Sequence, residues 1–263
     1  MFQSIKRSSV LDEDYLRHMT LNTYRFYRNK FGSKYGELVI CNDSKNYWRR
    51  DVFPHYKHSR KEKIKDSDLD WSSIFDSMTK IREEVKEIFP YKSITVDRTE
   101  ADDIISVICK HVREENILII SSDKDFQQLQ RYENVDQYSP IKKDFLLCED
   151  PEEFLTDHII KGDSSDGIPN ILSDDDVFLM EDKRQKPCGK KKMAIIKENL
   201  SDWTGTDKWK RNQSLIDLNS LPKQYESAIL TEYEKEPVGK RSNILNYFIK
   251  NKLKNLMSNI EEF

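Results

Sequence analysis

Residues 117–129 read ILIISSDKDFQQL. Ile117 to Ile120 form an unbroken apolar run, the pattern of a strand buried on both faces. The run ends on two carboxylates, Asp123 and Asp125, and continues into Phe126 and Leu129. Upstream, ELVICND and SITVD read as strands, and VDQYSP reads as a later one. Between them lie helical stretches: residues 11–31, Trp71 to Phe89 stopped by Pro90, and TEADDIISVICKHV. Alternating strands and helices predict an α/β fold with a parallel, doubly wound sheet. After about Leu147 the pattern turns mainly helical. The expected division is therefore an α/β domain over 1–148 and a helical domain over 149–263. Residues 174–192 hold an acidic cluster followed by a basic one and are expected to form a mobile loop.

Hydrophobic residues make up 37% and charged residues 35% of the 263-residue chain, whose net charge is −3. A near-neutral sum does not suggest nucleic acid, so the distribution of charge has to decide. No apolar run approaches the roughly 20 residues of a membrane span, and the start lacks a signal-peptide core. Cys41, Cys109, Cys148 and Cys188 form no C-x-x-C pair, which fits reduced cytosolic thiols. The histidines show no zinc spacing, and His55 and His58 have basic neighbours that repel a metal.

Ligands of an open parallel sheet lie beyond the carboxyl ends of its strands. Strand one ends at Asp43, strand two leads into Glu100, Asp102 and Asp103, and strand three delivers Asp123 and Asp125. Like charges this close raise each other's pKa unless cations compensate. Hard divalent cations such as Mg²⁺ take oxygen ligands, and a pair of them can drive phosphodiester hydrolysis. The same acids also fit helix starts: Thr99 as N-cap before Glu100, Asp102 and Asp103, and Asp123 with Asp125 before Phe126.

Residues 45–65, KNYWRRDVFPHYKHSRKEKIK, carry eight Lys or Arg against Asp51 and Glu62, with Tyr47, Trp48, Phe53 and Tyr56 interleaved. Basic groups neutralise phosphates and rings stack on single-stranded bases; a solvated charged helix is the plain alternative. IIKGDSSDGIPN, residues 159–170, has small residues that let backbone approach a phosphate or ion. It fails as a calcium loop, because Gly167 and Ile171 fall where ligands belong.

In that order, NDSKNYWRR, HYKHSR, TEADD, SSDKDF and KGDSSDGIPN resemble the 5′ nucleases of the flap endonuclease superfamily. Within it they are most similar to the RNase H type 5′-to-3′ exonucleases of T-even-like bacteriophages. The resemblance implies a PIN-like nuclease domain with a basic arch over 45–65, and a helical duplex-DNA-binding domain with a helix–turn–helix element. It implies a Mg²⁺-dependent hydrolase using two ions, with Mn²⁺ as a substitute, that removes RNA primers or 5′ flaps during DNA replication. Asp43, Glu100, Asp102, Asp123 and Asp125 match metal positions, with Asp103 beside them and Asp163 and Asp166 on the second-metal side. Lys57, which would stabilise the scissile phosphate, and Arg60 match catalytic arch positions. Arg49, Arg50, Tyr56, Lys61, Gly162, Gly167 and Ile168 match nucleic-acid-binding positions, the 162–168 turn with a bound K⁺ in many relatives. Implied partners are DNA or RNA–DNA hybrid with a 5′ end or flap, together with replisome proteins such as a single-strand-binding protein or sliding clamp. The setting is a monomer in the host cytoplasm.

Two features depart from the family pattern. Its members begin with a strand ending in Asp, whereas this sequence begins at Met1 about where the first long helix starts, and neither Asp12 nor Asp14 follows a strand. That leaves open a non-catalytic or impaired binder of branched DNA, an upstream start, or a strand supplied by another polypeptide. The glycine-rich continuation after Ile168-Pro169 in cellular relatives is replaced here by the charged 174–192 segment. A toprim-type nuclease or primase also uses Asp-x-Asp after a strand, but needs an earlier strand-end glutamate with a nearby glycine.

Overall fold

The computed structural model describes residues 12–65, 67, 69–180 and 182–263, with the backbone alone for 61–63 and 65. In chain order the elements are α1 (Glu13–Tyr35), β1 (Val39–Cys41), α2 (Arg49–Val52), α3 (His58–Lys65), α4 (Trp71–Ile88), β2 (Lys92–Ile94) and α5 (Ala101–His111). Then follow β3 (Ile117–Ile120), a 3-10 helix (Lys124–Arg131), β4 (Val135–Ser139), β5 (Asp144–Leu146) and α6 (Pro151–Lys161). The chain continues with α7 (Lys190–Glu198), α8 (Ser201–Thr204), α9 (Asp207–Ile216), α10 (Lys223–Tyr233), α11 (Arg241–Lys250) and α12 (Lys254–Met257). They sort into two compact units, one of Met1–Asn42, Asp68–Ile94 and Tyr233–Phe263, the other of Asp43–Ser67 and Thr95–Glu232.

In the first unit, β1 and β2 pair in parallel from Val39↔Lys92 to Cys41↔Ile94. α4 starts at the Asp70 carboxylate, which accepts from Ser73 N, and buries Ile74, Ile81 and Val85 along one stripe. Phe89 is fully buried, with the rings of Tyr91, Tyr247, Phe248 and Phe263 around it at 5.6–6.2 Å. Arg17 is buried too, and pairs with Glu84 at 2.9 Å and Asp14 at 2.9 Å.

In the second unit, β3 pairs with β4 in parallel, Ile117↔Val135 through Ile120↔Tyr138, and β4 pairs with β5 antiparallel. The parallel α/β reading holds, while the antiparallel β5 was not expected. β3 lies at the edge of its three-stranded sheet, so only Ile119 is buried, against the reading of a wholly buried strand. Asp150 caps α6 by accepting from Glu153 N, Pro151 opens it, and Gly162 ends it at φ 67. In the 174–192 segment Lys208 meets Asp174 at 3.1 Å, Lys183 meets Asp176 at 2.5 Å, and Asp175 pairs with Arg211. Glu181 lies outside the described residues. Among the described residues, no helix is long and apolar enough to cross a membrane.

Candidate functional site

Four stretches of the second unit supply the site. Residues 43–60 contribute Asp43 and the arch residues, and the start of α5 contributes Glu100, Asp102 and Asp103. The tip of β3 contributes Asp123 and Asp125. α6 and its turn contribute Asp163, Asp166 and a residue not foreseen, His158.

Glu100 is 2% exposed and accepts from Arg49 Nη1 at 2.9 Å, from Tyr56 OH at 3.0 Å, and from Lys57 Nζ. Burial pushes its carboxyl up, but Lys57 and Arg49 more than offset that and hold it below the usual range. Burial pushes the Tyr56 phenol far up. Lys57 stands at φ 57, and its N–H donates to Asp166 O at 2.8 Å. Asp166 also accepts from Tyr56 OH at 3.3 Å and Arg60 Nη2 at 2.5 Å, and lies 3.6 Å from Lys57 Nζ. Burial disfavours the Lys57 ammonium, yet Glu100 and Asp166 raise its pKa overall.

Asp103 is placed otherwise than expected. It is fully buried, and its oxygens accept from Arg49 Nη1 and Nη2 at 2.9 and 2.7 Å, Trp48 Nε1 at 3.1 Å and Glu100 N at 3.0 Å. Three of these donors bear on Oδ2 and one on Oδ1, which holds the side chain inside the unit. Arg49 is likewise 2% exposed, its Nε donating to Leu215 O at 3.0 Å, so it lies inside the unit and not at the surface where the resemblance placed it. Asp166 meets Lys57, Tyr56 and Arg60. Arg50 stays at the surface with its guanidinium 5.2 Å from the Tyr47 ring centroid. The Lys61 side chain lies outside the described residues.

Asp43 is exposed and its Oδ1 accepts from Ala101 N at 2.8 Å, so a residue from another segment caps α5. Thr99 does not; its hydroxyl donates to Val96 O at 3.0 Å. Asp123 is exposed and caps the 3-10 helix, accepting from Asp125 N at 3.0 Å. Capping and ligation are compatible, since each carboxylate keeps an oxygen in hand. Asp102 makes no side-chain hydrogen bond among the described residues. Burial, then the charges of Glu100 and Asp123, push its carboxyl up to about 7 despite Lys57.

Asp125 is raised to about 6 by burial and by Asp123 and Asp163, with His158 opposing. Asp125 Oδ1 and His158 Nδ1 are both buried, both lack a hydrogen-bond partner, and lie 3.5 Å apart. Asp163 Oδ2 is 3.3 Å from His158 Nε2 and 3.1 Å from Lys124 Nζ, while Oδ1 accepts from Ser165 N and Oγ. Burial pushes Asp163 up, but these donors hold it far below the usual range. Single oxygen or nitrogen atoms of Asp125, His158 and Asp163 all lie within 4.8 Å of one another. A desolvated row of acids ending in orphaned acceptors fits divalent cations.

The turn is tightly built. A Cβ on Gly162 would lie 2.4 Å from Ile168 O, and Gly167, at φ 74, stands against His55 O. Ile168 is 2% exposed, and its N–H donates to Asp163 O at 2.7 Å. Its side chain therefore belongs to the core.

Two family models match the chain. One, described as the 5′-3′ exonuclease N-terminal resolvase-like domain, covers residues 17–156, and the other, T4 RNase H C terminal, covers 150–263. The chain belongs to this family. It is 33% identical to Ribonuclease H of enterobacteria phage T4, over 94% of this chain and 86% of the relative. A 5′-3′ exonuclease of Buchnera aphidicola is 30% identical over 51% of this chain and 47% of its own length. Among solved structures, the bacteriophage T5 5′-exonuclease with bound zinc superposes with TM-score 0.62 at 19% identity, over 96% of this chain and 94% of that one. The T5 D15 flap endonuclease in complex with DNA and metal ions gives TM-score 0.61 at 19% identity, covering 81% and 91%. These likenesses establish the fold.

Proposed function

We propose that this family member is a divalent-metal-dependent 5′-to-3′ nuclease that hydrolyses phosphodiesters of RNA primers or 5′ flaps on DNA. The observation that carries the reading is the row of acids Glu100, Asp102, Asp123 and Asp125, with Lys57 paired to Glu100 at one end and the buried, unpartnered Asp125 Oδ1 at the other. Asp43, Glu100, Asp102, Asp123, Asp125 and Asp163 form the side that holds two Mg²⁺ ions, with Mn²⁺ as a substitute. When bound, these ions neutralise the phosphate and acidify a water. Asp103 and Arg49 fix Glu100 from behind. Asp166 sets Lys57 and Arg60 over the acids, where the ammonium and guanidinium meet the scissile phosphate. Arg50 and Lys61 handle the 5′ end, and backbone of the 162–168 turn, with K⁺, grips the duplex. Tyr56, which is buried instead of lying at the surface as the resemblance implied, braces Glu100 and Asp166 through its hydroxyl. On this reading, residues 1–148 act as the nuclease part and 149–263 as the duplex-binding part, working in the host cytoplasm beside replisome proteins.

The test is cleavage of a 5′-labelled flap and an RNA-primed duplex by this chain, in Mg²⁺ and in chelator, beside Asp102→Asn and Asp123→Asn. Cleavage should vanish in chelator and in both variants while DNA binding survives. Full activity in both variants would sink the proposal.

A further inference from the structure

His158 is 5% exposed and sits between two carboxylates of the acid row. Asp163 Oδ2 can only accept, so Nε2 carries the hydrogen there. Nδ1 points toward Asp125 Oδ1, 3.5 Å away. Two potential ligand atoms face each other, both buried and both without a hydrogen-bond partner. Such an arrangement calls for a cation between them. Metal-bound histidines commonly donate their second ring nitrogen to a carboxylate, and Asp163 stands in that position. Lys124, the cation nearest Asp163, approaches Oδ2 from an exposed position and does not reach Nδ1.

Resting on the reading that Asp125 binds a divalent cation, we propose that His158 Nδ1 is a nitrogen ligand of that cation. Asp163 orients the ring through Nε2–H. The resulting mixed nitrogen–oxygen site favours Mn²⁺ or Zn²⁺ over Mg²⁺, because imidazole suits transition metals and an all-oxygen site suits Mg²⁺. Phe154, whose ring stands edge-on 5.8 Å from the imidazole, limits ring rotation.

The test is pulsed electron paramagnetic resonance of Mn²⁺ titrated to saturation on the full chain, without substrate. A directly bound imidazole couples to the Mn²⁺ spin. Heavy-nitrogen labelling of histidine must change that coupling in the unsubstituted chain, so the result does not depend on a variant folding. In His158→Gln the coupling should disappear and Mn²⁺ should compete less well against Mg²⁺, by about tenfold. Mn²⁺ bound without imidazole coupling overturns the proposal and leaves His158 a structural link between Asp125 and Asp163, with the nuclease reading intact. No Mn²⁺ binding at all overturns both.

Discussion

Asp102 and Asp103 are adjacent in sequence and opposite in environment. Asp103 has four donors at its oxygens, whereas Asp102 has only neighbouring charge. Holding Asp102 at about 7 has a consequence for stability. Folding without metal takes up a proton between the ordinary aspartate range and about 7, so the penalty is absent in acid and complete above that value. Metal-free Asp102→Asn is therefore expected to melt several degrees higher than the unsubstituted chain at about pH 8, with the difference fading toward about pH 4. Calorimetry in chelator across that range checks it, and identical melting at the alkaline end would contradict it. Every acid of the row could be named from residue types at strand ends. Which oxygens were already engaged could not, because Arg49 and Trp48 reach Asp103 through tertiary packing. His158 was missed for a related reason: Asp163 is five residues on, but Asp125 comes from another element, and only the fold brings the three together.

Among elements, α4 was legible from its stop at Pro90, while the caps were not: Asp70 starts α4, Asp103 reaches back to Glu100 N in place of the expected Thr99 cap on α5, and Asp150 starts α6. β5 was not, since DFL is short and carries no alternation. Nor was the edge position of β3, which depends on strand order and not on its own composition. The turn after α6 can be tested by its glycines. Gly162 combines φ 67 with a Cβ site 2.4 Å from a carbonyl oxygen, Gly167 combines φ 74 with a milder 3.2 Å approach, and Gly189 faces open space. Gly162→Ala should cost on the order of 2–4 kcal/mol, roughly 10 °C of melting temperature. Gly167→Ala should cost less, and Gly189→Ala close to nothing. Thermal melts of the three variants would refute the account if that order were reversed.

At the scale of the whole molecule, the change of character read at about residue 147 lies beside 150–156, where the two family models overlap. The compact units instead gather α1, α4 and α11 around Phe89, a pairing of distant segments that leaves no mark in local sequence. Charge is partitioned in the same tertiary way. The chain is net −3, yet its basic stretch divides into buried and exposed members. Arg49 neutralises Glu100 and Asp103 inside, while Arg50 remains at the surface. Removing one partner of a buried charge pair leaves the other uncompensated, typically at about 3–5 kcal/mol. Arg49→Met should therefore unfold at markedly lower temperature. Arg50→Ala should melt almost unchanged, bind flap DNA more weakly, and lower the slope of log affinity against log salt by about one. Fluorescence anisotropy in the Asp123→Asn background, from about 50 to about 200 mM salt, reads that slope without cleavage. If Arg49→Met changed the slope and kept its melting temperature, or Arg50→Ala did the reverse, the division of these neighbours into an internal and an external charge would be wrong.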